Sequence, residues 1–169
     1  NYNDARKDTI GVDARILRII DVCDGVVFVS EWLRDYFKSR YGLVHFNTCV
    51  IHNGVDSNVF RPSEDTRVDC TSIVAHHWSD NPLKGADIYE QLDAFVGMKD
   101  NYSFTYIGRH KCSFKHTRVV PPLYGIDLGR ELAAHDIYVS ASRFDPGPNH
   151  VCESEACGLP TFVHIDGGG

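Results

Sequence analysis

The 169-residue chain reads as an α/β protein, a parallel sheet flanked by helices, on three observations. Apolar runs of strand length, such as Val26-Val27-Phe28-Val29, alternate with amphipathic stretches of helical period. The connections between them are short, and a hydrophobic content of 43% is enough to bury a core on both faces of a sheet. Strands joined through helices run parallel, which sets the expected topology.

Each element follows from local sequence. Residues 12 to 23 place Ile16, Ile19 and Ile20 at helical spacing with Arg15 and Arg18 on another face, and Asp24-Gly25 ends that helix. Residues 26 to 29 form a strand. Ser30 then caps a helix through Trp32, Leu33, Tyr36 and Phe37 that stops near Gly42. A short strand at 48 to 51 leads into a turn-rich segment, His52 to Pro62, in which Asn53-Gly54 favours a tight turn and Pro62 blocks continuation. The polar stretch to about Asp69 reads as a linker and a domain boundary. Beyond it come strands at 71 to 75, 103 to 107, 118 to 120, 137 to 140 and 161 to 165. Helices at 85 to 96, 128 to 134 and 148 to 157 lie between them.

Charge and composition exclude several classes. The formal charge of -6, the pI near 5.8 and the scatter of 17 basic residues leave no electrostatic footprint for nucleic acid. No apolar run approaches the length of a bilayer span, and residues 1 to 10 show no charged leader with an apolar core. The expected location is cytoplasmic, with a membrane-peripheral place open to the full-length protein. Six cysteines without compact spacing are expected to be reduced and mostly buried. The loop His110-Lys111-Cys112-Ser113-Phe114-Lys115-His116 holds three metal-ligand types, but no second cysteine pair completes a zinc set, so no metal is expected.

The densest chemistry lies in Ser142-Arg143-Phe144-Asp145-Pro146-Gly147-Pro148-Asn149-His150-Val151-Cys152-Glu153. Two acids flank a Pro/Gly-rich turn that opens a helix, a pattern suited to a polar ligand at the carboxyl ends of parallel strands. With Val27 to Asp35, Val50 to Asp56 followed by Phe60-Arg61-Pro62, Lys84-Gly85, His135 to Ser142 and Gly167-Gly168, this turn resembles the retaining nucleotide-sugar glycosyltransferases of family 4. The resemblance covers about residues 26 to 168. It implies the two-domain GT-B fold, with residues 1-60 as the tail of an amino-terminal acceptor domain and 61-169 as an incomplete, Rossmann-like donor-binding domain. The absence of an initiating methionine and the ending at Gly169 suggest an internal fragment, inactive alone and lacking its amino-terminal domain.

The same resemblance implies roles. Lys84, at a helix start, would hold the diphosphate of a nucleoside-diphosphate sugar, UDP- or GDP-linked, with no metal and no other cofactor. Glu153 would take two hydrogen bonds from the ribose diol. Glu155, about 200° further round the helix, would point elsewhere. Asp145, one methylene shorter than the family's glutamate, would act catalytically by offsetting positive charge at the anomeric carbon. Gly147, Asn149, His150 and Val151 would offer backbone and side-chain contacts to the donor. His76, His77, Gly108 and Arg109 are further candidate donor contacts, and Arg109 or Lys111 would replace an arginine that family members carry before the lysine. Trp78, Tyr106 and Tyr138 are expected in the core. The acceptor is a glycan, lipid or protein. A GT-B epimerase or phosphorylase, or a non-catalytic nucleotide-binding or interaction module, is the alternative reading.

Overall fold

In the computed structural model the described residues are 9–43, 47–64 and 70–167. The linker expected up to Asp69 and the Gly168 of the glycine pair therefore fall partly or wholly outside them. Helix α1 spans Thr9–Ile20, β1 Val26–Phe28, α2 Glu31–Tyr41 and β2 Thr48–Val50. Strand β3 spans Thr71–His77, followed by a 3-10 turn at Pro82–Lys84 and α3 at Ala86–Val96. The remaining elements are β4 (Tyr102–Gly108), β5 (Arg118–Val120), α4 (Gly125–Ala133), β6 (Ile137–Ser140), α5 (Asn149–Ala156) and β7 (Thr161–Val163).

Strands β1 and β2 pair in parallel as a two-stranded sheet. The other five form one parallel sheet in the order β5-β4-β3-β6-β7. The chain lays β4 and β5 on one side of β3 and then returns to place β6 and β7 on the other. That reversal between β3 and β6 is the crevice where open α/β sheets hold ligands.

Two apolar clusters cover the sheet's faces. Ile73, Ala75, Tyr89, Val96, Phe104 and Tyr106 pack under α3, while Val74, Ile107, Leu128, Leu132, Tyr138 and Cys157 pack under α4 and α5. Phe60, from the segment after β2, inserts into the second cluster. Alternation along β3 explains the split, because Ile73 and Ala75 face one way and Val74 the other.

Local signals account for most boundaries. Ser30 caps α2 by accepting the Leu33 N–H at 3.1 Å, and Gly42 closes the helix with φ 65°. Helix α3 begins at Ala86 because Pro82 and Asn81 first close a 3-10 turn, the Asn81 side chain accepting the Leu83 N–H at 3.0 Å. Strand β3 runs two residues past its expected end, since His76 and His77 pair in register with Ile107 and Gly108. Helix α4 starts three residues earlier than its apolar periodicity suggests, and β7 stops at Val163.

Two expectations are corrected. Cys23, Cys49 and Cys70 are exposed, and only Cys157 is buried. Short strands and element ends leave one side open, so apolar neighbours in sequence do not ensure burial. Trp78 is 39% exposed and packs on Tyr124 with ring centroids 4.1 Å apart, whereas Tyr106 and Tyr138 are buried as expected. Among the described residues no helix is long and apolar enough to cross a membrane.

Candidate functional site

All five strands of the main sheet are parallel, so the carboxyl ends of β3, β4 and β6 share one edge. The 3-10 turn after β3 carries Lys84, and the loop after β6 carries Asp145. Lys84 Nζ lies 2.6 Å from Asp145 Oδ2, with side chains 27% and 17% exposed. Three further contacts fix this meeting. The Arg143 N–H donates to the Leu83 carbonyl at 2.8 Å, the Arg143 guanidinium grips Asp87 of α3 with two bonds of 3.1 and 2.7 Å, and Phe144, at φ 53°, donates its N–H to the Asp166 carbonyl. The Arg143 guanidinium holds the Asp87 carboxyl below its ordinary range.

Gly85 links Lys84 to α3 at φ 82°, and a Cβ there would stand 2.4 Å from the Ala141 carbonyl oxygen. The 3-10 turn thus presses directly on the end of β6, which explains why a glycine follows the lysine.

Beneath this pair lies a cluster of three buried histidines. His76 Nε2 bonds Glu153 Oε2 of α5 at 2.8 Å, His77 Nε2 bonds the Tyr89 hydroxyl at 2.6 Å, and His150 Nε2 bonds Ser140 Oγ at 2.8 Å. The ring centroids of His77 and His150 are 4.7 Å apart, those of His76 and His150 5.9 Å. Burial pushes His77 and His150 well below their ordinary values, and the charge of Lys84 adds to both shifts. Both rings are therefore neutral at pH 7. The Nδ1 atoms of His76 and His77 and the Ser142 hydroxyl are buried with no partner among the described residues.

The segment before Pro62 clasps the acidic turn from the other side. Ser30 Oγ donates to the Pro146 carbonyl, and Asn53 Nδ2 donates to the Gly147 carbonyl at 2.8 Å. Trp32 meets Phe144 edge-on at 6.2 Å. Between α1, β1 and α2 on one wall and the turn on the other is a cleft of about 580 Å³. Trp32, Tyr36 and Phe37 line its apolar side, and Lys84, Arg143 and Asp145 its charged side.

The sequence-derived candidates thus fall into distinct places. Lys84 with Asp145, and Glu153 with His76, are brought together; His150 joins the histidine cluster. His77 is 3% exposed and turned toward Tyr89, inside the core. Asn149 is exposed at the first residue of α5, whose opening turn has no side-chain cap. Val151 is buried and gives its N–H to the Pro148 carbonyl at 3.0 Å. At Gly147 a Cβ would sit 2.7 Å from Val29 Cγ2, and at Gly108, with φ 118°, it would sit 2.0 Å from the His77 carbonyl oxygen. Packing of the chain against itself is thus reason enough for glycine at both positions. Arg109 is exposed and gives its N–H to the same His77 carbonyl at 3.1 Å, while Lys111 pairs with Asp80 at 3.4 Å. Glu155 lines a separate groove with Trp32 and His52.

Sequence reasoning missed Arg143, which stands in the cleft beside Lys84. Its place after β6 was visible; its grip on Asp87, 56 positions away, was not. The ligand types of the loop after β4 disperse. His110 packs on Phe114, Cys112 Sγ turns to the Ala86 carbonyl, and His116 abuts Gly97. Among the described residues no three His, Cys, Asp or Glu gather as a metal set.

No family model and no curated protein matches the chain. Solved structures do. Sucrose-phosphate synthase from Thermosynechococcus elongatus aligns with a TM-score of 0.77 at 19% identity, over 98% of this chain and 46% of that one. Anabaena HepE, solved with UDP and glucose, aligns at 0.73 and 17% identity, over 96% and 50%. A point mutant of S. aureus TarM, solved with UDP among its ligands, aligns at 0.71 and 14%, over 96% and 34%. The chain spans half or less of the length of each of these structures. What it shares with them is the fold, a five-stranded parallel sheet with flanking helices arranged as in part of a GT-B glycosyltransferase.

Proposed function

We propose that the full-length protein transfers a sugar from a nucleoside-diphosphate sugar to an acceptor with retention of anomeric configuration, as a family 4 glycosyltransferase. The observation that carries this reading is the convergence of Lys84 and Asp145 at the β3/β6 reversal, with Glu153 on the helix that follows. A cation for the diphosphate, an acid for the sugar and an acid for the ribose then lie along one edge. UDP in the HepE and TarM structures supports a nucleotide donor.

In this reading an arriving diphosphate draws Lys84 from Asp145, since a phosphate offers the ammonium more charge than a carboxylate. The carboxylate so released faces the sugar, where negative charge stabilises an oxocarbenium-like transition state. The lysine and the helix amides supply the positive charge, so the reaction needs no metal. The acceptor, a glycan, lipid or protein, enters through the cleft between Trp32 and Asp145. Residues 1-60 belong to the acceptor domain and 61-169 to the donor domain, the rest of the acceptor domain being supplied by the same protein in the cytoplasm.

The test is titration calorimetry of the full-length protein with UDP- and GDP-sugars, followed by analysis of the product's anomeric configuration. Expected are micromolar donor binding, a retained configuration, and a loss of turnover of at least about a hundredfold in Asp145→Asn. Binding of no nucleotide sugar would overturn the reading in favour of an interaction module.

A further inference from the structure

Glu153 is not a free carboxylate. Its Oε2 is held at 2.8 Å by His76 Nε2, and its Oε1 takes no bond from any described residue. His76 is itself fixed. Its side chain is 3% exposed, its ring packs edge-on against Tyr138 at 5.5 Å and His150 at 5.9 Å, and its backbone N–H and carbonyl both meet the Tyr138 hydroxyl at 3.4 Å.

The tautomer follows from this geometry. A carboxylate accepts, so Nε2 must carry the proton that it gives to Glu153. Nδ1 is buried without a partner among the described residues. No described residue competes for the ring's other nitrogen, so the Nε2–H bond to Glu153 is the ring's polar anchor. The histidine thus gives its Nε2–H to one oxygen of Glu153 and leaves the other, on a side chain that is 22% exposed, for a ligand.

We propose that His76 is a positioning residue that fixes the rotamer of Glu153 and directs the free carboxylate oxygen at the vicinal hydroxyls of the donor's ribose. The proposal rests on the nucleotide-sugar reading above, and it moves His76 from donor contact to support of the contact. A flexible glutamate would lose rotamer freedom on binding; one already held does not. The support acts on hydroxyl recognition and leaves the diphosphate to Lys84.

Comparison of UDP and GDP with their 2′-deoxy counterparts in the full-length protein isolates that effect. The wild type is expected to prefer the ribonucleotide by about tenfold, the worth of a hydrogen bond to a charged group. His76→Phe should bring the preference to within about twofold while deoxynucleotide affinity stays within about twofold, and His76→Gln, whose amide can donate from the same place, should restore it. An unchanged preference in His76→Phe overturns the proposal and leaves Glu153's role standing. No preference in the wild type overturns both. Nitrogen NMR of labelled histidine needs no variant: the proposal predicts a proton on Nε2 of His76, and a proton on Nδ1 alone would overturn it.

Discussion

Lys84 and Asp145, 61 positions apart, form a close ion pair at the carboxyl edge of the sheet. Each is the other's strongest competitor for a ligand. In the proposed reading an incoming diphosphate displaces the carboxylate, and the sugar's developing positive charge displaces the ammonium.

This competition has a sign that can be measured. Asp145→Asn removes the lysine's partner, so nucleoside-diphosphate affinity should rise by about two- to tenfold while turnover falls. Lys84→Met should weaken the same affinity at least about tenfold. Calorimetry of both variants decides. Weaker nucleotide binding in Asp145→Asn would show that the pair is structural only. In the unliganded protein a double-mutant cycle should give a coupling of about 1–2 kcal/mol, between the values for exposed and buried pairs.

Acid should destabilise the fold through the buried histidines. His77 and His150 are held well below their ordinary values, while in the unfolded chain both titrate near about 6.5. Above that pH both states are unprotonated and the two residues contribute no slope. As pH falls below about 6.5 the unfolded chain gains two protons that the folded chain excludes, so stability drops by about 2.7 kcal/mol per pH unit. Urea unfolding at a series of pH values in wild type and His77→Gln checks this, the variant's slope being expected at about half.

Asp93 organises the loop after β4. Its buried carboxylate accepts the N–H groups of Lys115, His116 and Thr117 and the Thr117 hydroxyl at 2.6 to 3.1 Å. Burial alone would raise its pKa, but the hydrogen bond from Thr117 and those from the three amides outweigh it, and the net shift is downward. Asp93→Ala should cost about 3–4 kcal/mol by orphaning several donors. Faster amide exchange at Lys115, His116 and Thr117 would accompany it.

Two glycines with left-handed backbones should tolerate no side chain. Gly108→Ala and Gly85→Ala add a Cβ 2.0 and 2.4 Å from a carbonyl oxygen, on top of about 1–2 kcal/mol of backbone strain. At Gly54 a Cβ would meet nothing within 4 Å, and Gly54→Ala should leave stability within about 1 kcal/mol. Thermal denaturation of the three variants should rank Gly108→Ala least stable and Gly54→Ala nearest wild type.

How far the sequence could be read depended on range. Ser30 before an apolar helical run announces an N-cap, because capping is settled within three residues. The same hydroxyl's bond to the Pro146 carbonyl, across 116 positions, leaves no local trace. Strand periodicity likewise located β3 and β6 but not their adjacency, which comes from the reversal of strand order. The acidic turn and Lys84 were legible as chemistry. That they meet, that His76 serves Glu153, and that Arg143 locks the turn to α3 all depend on contacts between distant segments. Cys49 and Trp78 misled for a related reason: an apolar residue is buried by its neighbours in space, and theirs are few.

The clasp ties the start of α2 and the segment after β2 to the acidic turn. Ser30 and Asn53 hold the carbonyls of Pro146 and Gly147, the two residues that follow Asp145. If α2 and the acidic turn belong to the two proposed domains, a shift of α2 would pull those carbonyls and tilt the acid with them. Exchange of the Asn53 side-chain amide protons, followed by NMR with and without nucleotide, would read that clasp directly.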